Sequence, residues 1–321
     1  MILWGVSMMR NEEDIVEAFV RHNLAILDGL LVVDHNSTDA TSAILASLCA
    51  ERLPLVVMRN DSPGYLQAEV TTTAARQVFA RTPADFVFPL DADEFLKAPS
   101  RGALEAFLAS LPPGTHALLD WPTYAPPFDQ PTRDVVSLVR AARRIVNAPV
   151  SHGKVAVARS FAGIPDAYIR QGNHEVFVGR DPRTAPRLPV VRAPDSICVA
   201  HVPARGEVQY ARKFGVRRLA RIAAGRDYLP EASFHRAYGR LRAGDRLTPD
   251  DMLRPYTDGN VIDDSRPPPT SLPTTHDPFI ADIALKYTPT PTDDALPVML
   301  AAVEGLARRL AGYRRRAVRE D

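Results

Sequence analysis

FVFPLDADEFL, residues 86–96, decides how the rest of the chain is read. Phe86 to Leu90 is a short apolar run, the pattern of a strand buried on both faces. Asp91, Asp93 and Glu94 follow at once, so up to three carboxylates emerge where that strand ends. In extended backbone alternate side chains share a side, so Asp91 and Asp93 face the same way. Two hard oxygen donors at that spacing suit Mg2+ or Mn2+, which keeps several waters and completes its shell with substrate phosphates. A bare D-x-D also arises by chance, and DADE can equally cap a helix or solvate a loop. Only the surrounding sequence separates these readings.

Toward the N-terminus the pattern repeats. Ile2 to Met9, Leu30 to Val33 and Leu55 to Met58 read as further buried strands. Helical spacing follows each: Ile15, Phe19, His22 and Ile26 in the first case, Ile44, Leu45 and Leu48 in the second, residues 66–80 in the third. His22 reads as a partly buried structural residue. Acidic Glu12, Glu13 and Asp14 favour a helix N-terminus, and Ser37, Thr38 and Asp39 supply turn and cap chemistry. Strands alternating with helices imply an α/β fold with a mostly parallel central sheet flanked by helices. Right-handed crossovers place the strand ends along one edge, where such folds bind ligands. Asn11, Asp34 and Asp91 to Glu94 all follow strands and therefore converge there. Asp34 at a strand end can accept from a nucleotide base or ribose hydroxyl.

Composition sets limits on partners and layout. The 39 Lys and Arg nearly cancel the 38 Asp and Glu, so no global field draws the chain to nucleic acid. Cys49 and Cys198 form no CxxC pair or disulfide framework, which suits a reducing, cytoplasmic setting. No run approaches the roughly 18 to 20 apolar residues of a membrane span. The 29 prolines crowd residues 112–131, 182–203 and 267–297, so a regular first half precedes a loop-rich second. Strands are expected at 116–121, 154–159, 176–178 and 197–202, and basic helices near 205–224 and 232–242. Residues 255–294 read as mostly irregular, and 295–313 as an amphipathic docking helix. The basic runs RKFGVRRLARIAAGR (212–226) and YRRRAVRE (313–320) read as solvated helix faces, with peripheral membrane contact the functional alternative.

MMRNEEDIVEAFVRHNLAILDGLLVVDHNSTDAT (8–41) followed by PLDADEFL (89–96) resembles the family-two glycosyltransferases of GT-A fold. The match is to a bacterial subgroup whose strands end in RNE, DxxSTDxT and DxDEF. GKVAVARS (153–160), QGNHE (171–175) and AHVPARGEVQYARKFG (200–215) echo later motifs, and LKYTPTP (285–291) returns weakly. The resemblance implies a GT-A domain over 1–225, divided into a nucleotide-binding half (1–110) and an acceptor-side half (111–225). A loop-rich, helical C-terminal extension would occupy 226–321. It implies inverting, hexosyltransferase-like transfer of a sugar from a UDP-, GDP- or dTDP-sugar to a hydroxyl of a carbohydrate or glycolipid, in the cytoplasm or at the inner membrane face, for bacterial glycan synthesis.

Carried over by position, Asn11 and Glu12 lie near the nucleotide, Asp34 contacts base or ribose, and Asp91 faces ribose and metal. Asp93 is the principal ligand of Mn2+ or Mg2+. His201, after ICVA, is a third metal ligand, and Lys154 pairs with donor phosphate. Direct displacement needs a carboxylate base, for which Glu175 is the candidate and Glu94 the next. His35 stands where the family has an acidic residue, which leaves the base open. A nucleotidyltransferase of related fold would carry a glycine-rich basic loop after the first strand, absent from MMRNEED. A D-x-D-x-T phosphatase would need Thr at Phe95. A non-catalytic nucleotide-sugar or carbohydrate-binding relative remains the third alternative.

Overall fold

The computed structural model describes residues 1–62, 64–128, 134–148, 152–179, 184–223, 232–258, 265–289 and 303–305. The expected strands form: β1 (Leu3–Met9), β2 (Gly29–Asp34), β3 (Leu55–Arg59) and β4 (Phe86–Pro89). Between them lie α1 (Val16–Leu24), α2 (Thr41–Ala50) and α3 (Gln67–Arg81). Alternation along the strands explains why they are apolar throughout. Leu30 and Val32 of β2 enter one core with Ile15, Phe19 and Leu45. Leu31 and Val33 enter a second core with Ala75, Val78 and Phe79 of α3. Each buried Leu, Val or Phe contributes about 1.5–3 kcal/mol, so a polar residue on either face would be costly.

β5 (Glu94–Lys97) follows directly, so DADE turns into a strand rather than capping a helix. After α4 (Arg101–Ala109) come β6 (His116–Asp120), β7 (Tyr124–Ala125), α5 (Val135–Ala141), β8 (Arg143–Ile145) and β9 (Gly153–Ala158). Next are β10 (Ala167–Ile169), β11 (Val176–Val178), β12 (Val190–Arg192) and β13 (Cys198–His201). The chain continues as α6 (Glu207–Ala223), α7 (Ala232–Ala243), α8 (Pro249–Thr257) and β14 (Thr274–Thr275). Thr248 caps α8 through a reciprocal capping box with Asp251, with Pro249 in the first turn.

Among the described residues the main sheet has nine strands, in the order β3-β2-β1-β4-β9-β6-β13-β5, with β12 beside β6. β3, β2, β1 and β4 run parallel. β9 is antiparallel to both β4 and β6, and β13 is antiparallel to β5. The chain moves outward from β1 to β3 and then returns to the other side of β1 as β4. That reversal is a topological switch point, and it opens a crevice between the loops after β1 and β4.

The second half closes over this edge. Tyr210 and Phe214 of α6 share an apolar core with Ala237 of α7 and Met252 and Leu253 of α8. Phe279, Ile280, Ile283 and Leu285 run back across the first core. Glu17, fully buried, holds this return segment by accepting the backbone N–H groups of Lys286, Tyr287 and Thr288 at 2.8–3.0 Å. These three lie within LKYTPTP. The expected helix over 295–313 lies outside the described residues apart from 303–305, as does YRRRAVRE. No helix among the described residues is long and apolar enough to cross a membrane.

Candidate functional site

A cavity of about 250 Å3 lies at the switch point, bordered by Asn11, Glu12, Asp91, Asp93, Lys154, His201 and Lys213. The loops after β1 and β2 are stapled together beneath it. Asn11 adopts φ +56°, a left-handed conformation that Asn tolerates better than most residues. Its N–H donates to Ser37 Oγ (3.0 Å), and its Oδ1 accepts from Thr38 N–H (2.7 Å). Glu12 N–H donates to Thr41 Oγ1 at 2.9 Å. The motif letters R-N-E and S-T-D-x-T thus bind each other, a pairing that the separate strands conceal in one dimension.

Asp34 is turned into this staple. Its carboxylate accepts from Ser37 N–H at 3.0 Å and from the Ser42 hydroxyl. It is buried and does not border the cavity, where its neighbour His35 does.

Asp91 and Asp93 both border the cavity. Asp91 Oδ1 accepts from Gln67 Nε2 (2.6 Å), and Oδ2 from Lys154 Nζ (3.1 Å). Burial is the largest influence and raises its pKa, but the charge and hydrogen bond of Lys154 together with the charge of Lys213 make the net shift downward. Asp93 is almost wholly buried and accepts from Lys213 Nζ at 2.6 Å. Burial opposes its charge, yet Lys213 and His201 hold the carboxyl well below the usual range. Both groups are therefore anions at neutral pH.

The antiparallel pairing of β13 with β5 brings His201 to them. His201 lies opposite Glu94 in register, and Val202 N–H donates to Asp93 O at 3.0 Å. His201 Nε2 sits 3.5 Å from Asp93 Oδ2. The ring stacks on Trp121 at 4.1 Å and meets Tyr256 edge-on at 5.1 Å. Its Nδ1 is buried without a hydrogen bond, and burial lowers its pKa, leaving the imidazole neutral. Asp93, Glu94 and His201 offer one ligand atom each within 4.8 Å of one another. A neutral imidazole and an ionised carboxylate are donors Mn2+ accepts, so Asp93 and His201, which border the cavity, fit a divalent ion.

Glu94 is fully buried, does not border the cavity, and has both oxygens committed. Oε2 accepts Asp91 N–H (2.9 Å), while Oε1 accepts Trp121 Nε1 (2.8 Å) and pairs with Lys154 Nζ (2.6 Å). Burial pushes its pKa up to about 8 against the pull of Lys154. Its contacts position Asp91, Trp121 and Lys154; none reaches a place an acceptor can occupy. Glu175 also lies off the cavity, held by Arg170 (2.5 Å) and Arg187 (2.9 Å). Lys154 is buried under Trp121, 4.8 Å from its ring centre, and also donates to Gly172 O at 2.8 Å.

Gly172 has φ +86°, and a Cβ there would meet the His174 ring at 2.7 Å. Only glycine lets the QGN turn approach closely enough for its N–H to reach Gln67 (2.9 Å) and its carbonyl Lys154. His174 donates through Nδ1–H to Gly153 O (2.7 Å), and burial takes its pKa down to about 3.

The reading of the 212–226 run as a solvated face is corrected over its described side chains, 212–222. Arg212 and Arg221 are buried, as is Arg205 just before α6. Arg205 pairs with Asp14 (2.6 Å) and Glu12 (2.8 Å), and Arg212 with Glu13 (2.9 Å) and Asp39 (3.3 Å). The basic face turns inward because four carboxylates of the 12–39 region face it. Gln67, Trp121, Lys213 and Arg205 escaped the sequence reading. For Lys213 and Arg205 the signal is charge complementarity between RNEED and the basic residues 205–213, which no local pattern exposes; Gln67 and Trp121 carry no such signal.

No family model matches the chain, and no curated protein matches it. Among solved structures it is similar to S. aureus TarS 1–349, at 13% identity over 76% of this chain and 74% of that one, TM-score 0.37. It is also similar to the mannosyltransferase PcManGT from Pyrobaculum calidifontis, whose structure holds GDP-Man and Mn2+. That match has 15% identity over 97% of this chain and 74% of the other, TM-score 0.37. Likenesses of this strength decide nothing about the site, whose reading rests on its own geometry.

Proposed function

We propose that this chain is a divalent-metal-assisted glycosyltransferase of GT-A type that transfers a sugar from a nucleoside-diphosphate sugar to a hydroxyl acceptor, with inversion. The observation that carries the reading is the meeting of Asp91, Asp93, His201, Lys154 and Lys213 around one cavity at the switch point of the sheet. Anionic carboxylates at a sheet's ligand edge have no use for a bare diphosphate, which they repel; they suit one that arrives with a cation. Asp93 and His201 would hold that ion, with Asp91 oriented alongside. Mn2+ or Mg2+, when bound, neutralises charge growing on the departing diphosphate.

The chain's own groups divide the remaining work. Asn11 and Glu12 set the floor beneath the nucleotide, and Asp34 fixes the loop on which His35 faces the cavity. Lys154 holds Asp91 in place and carries a fixed positive charge beneath the Trp121 ring. Glu94 acts as a positioning residue behind them. Glu175 in this conformation does not touch the acceptor space, because two arginines hold it elsewhere.

The test is released nucleotide from a panel of UDP-, GDP- and dTDP-sugars with Mn2+ or Mg2+. Asp93→Ala is expected to lose at least 100-fold of metal-dependent turnover, the scale of losing a principal transition-state charge stabiliser. Glu175→Gln is expected to keep most of it. Full turnover in Asp93→Ala, or binding of nucleotide sugars with no turnover under any acceptor, removes the reading.

A further inference from the structure

We infer that Lys213 is a displaceable resident cation: its ammonium occupies the Asp93 carboxylate until a divalent ion takes its place, and then swings to the diphosphate. The inference rests on the metal site proposed above and adds a competitor built into the protein. Two observations point to it. Asp93 Oδ2 accepts from Lys213 Nζ at 2.6 Å, and the same oxygen lies 3.5 Å from His201 Nε2. Adjacent ligands of an octahedral ion with bonds of about 2.1 Å stand about 3 Å apart, and opposite ones about 4 Å. The Asp93–His201 spacing lies between these values, while it is too long for a good hydrogen bond. His201 Nδ1, buried and unbonded, supplies no competing anchor for the ring.

The carboxylate is therefore arranged for a cation shared with His201, yet carries an ammonium at hydrogen-bond distance. Two cations on one buried oxygen repel, so one must leave. Lys213 can. It borders the cavity, its side chain is 22% exposed, and its second partner, Glu12 Oε1 at 3.2 Å, lies on the cavity wall. Its four-carbon stem and point charge allow it to swing without leaving the site. Arg205 cannot act this way: its side chain is 2% exposed and locked onto both Asp14 and Glu12. Displacement would leave the ammonium facing the space where the diphosphate enters, so metal and nucleotide should reinforce each other's binding.

The experiment measures Mn2+ affinity by electron paramagnetic resonance of the free ion, with Mn2+ alone and with Mn2+ plus UDP. Wild type, Lys213→Met and Lys213→Gln are compared, the second variant retaining a polar stem should the first not fold. Mn2+ alone is expected to bind at least tenfold tighter to either folded variant than to wild type. UDP is expected to tighten Mn2+ binding more in wild type than in the variants. Equal or weaker Mn2+ binding by the variants overturns the displacement and leaves the metal site standing. Absence of Mn2+ binding in all three, with or without UDP, overturns the site itself and the displacement with it.

Discussion

Replacing Lys154 by methionine removes the one ammonium that ties Glu94, Asp91 and the QGN turn together. Its Nζ lies 2.6 Å from Glu94, 3.1 Å from Asp91 and 2.8 Å from Gly172 O, in a side chain 2% exposed. At an effective dielectric of about 20, the Asp91 pair is worth roughly 5 kcal/mol of Coulomb energy, while Glu94, protonated at neutral pH, contributes a hydrogen bond rather than a second ion pair. Desolvation of the ions offsets most of that, and removing one partner of a buried pair typically costs about 3–5 kcal/mol. Glu94 already holds its proton up to about pH 8, so it meets the loss at neutral pH by staying uncharged. The expected destabilisation is therefore near 3 kcal/mol, the low end. Glu94→Gln leaves Lys154 with Asp91 and Gly172 but converts one acceptor into a donor, a change of about 1–2 kcal/mol. In the double variant the mispaired groups are both gone, so it should be more stable than the sum of the singles by about 1–2 kcal/mol. Urea titrations at pH 7 on all four proteins read this directly. Trp121 reports on the site because its indole donates to Glu94. Additivity within about 0.5 kcal/mol would refute the coupling.

His116 predicts an acid-labile fold. It is buried, its Nδ1 accepts from Ala158 N–H at 3.0 Å, and burial lowers its pKa to about 4 from the ordinary 6.5. The unfolded chain takes up this proton from pH 6.5 downward while the folded chain does not. The contribution is thus complete above pH 6.5 and shrinks as pH falls toward 4, by about 3 kcal/mol in all. His116→Asn, which keeps an acceptor for Ala158, should flatten the fall of the urea midpoint over that window; an unchanged slope contradicts it. Glu17→Ala should release residues 286–288, whose three amides it holds, because charge-assisted bonds of roughly 1.5–3 kcal/mol are lost. Hydrogen exchange there should speed up at least tenfold, and exchange at the wild-type rate would show that the return segment is held by its apolar side chains alone.

The alternating α/β order, the strands at 3–9, 29–34, 55–59 and 86–89, and the convergence of Asn11, Asp91 and Asp93 were all determined by sequence, because apolar periodicity and turn chemistry are local. So was the neighbourhood of Asp93 and His201, although through resemblance rather than through spacing. Tertiary structure alone decided how those residues are partnered. Asp34, expected at a nucleotide, accepts from Ser37 and Ser42 and so closes the loop beside the cavity. Glu94 looked available and is enclosed by Trp121, from the end of β6, and Lys154, from β9. The basic helix after residue 205 looked solvated and instead supplies the counter-charges of the site. For Glu94 and the basic helix the deciding term is an electrostatic pairing between segments up to about 200 residues apart. Hydrophobic pattern fixes which face of an element turns inward, but it says nothing about which charge that face will meet.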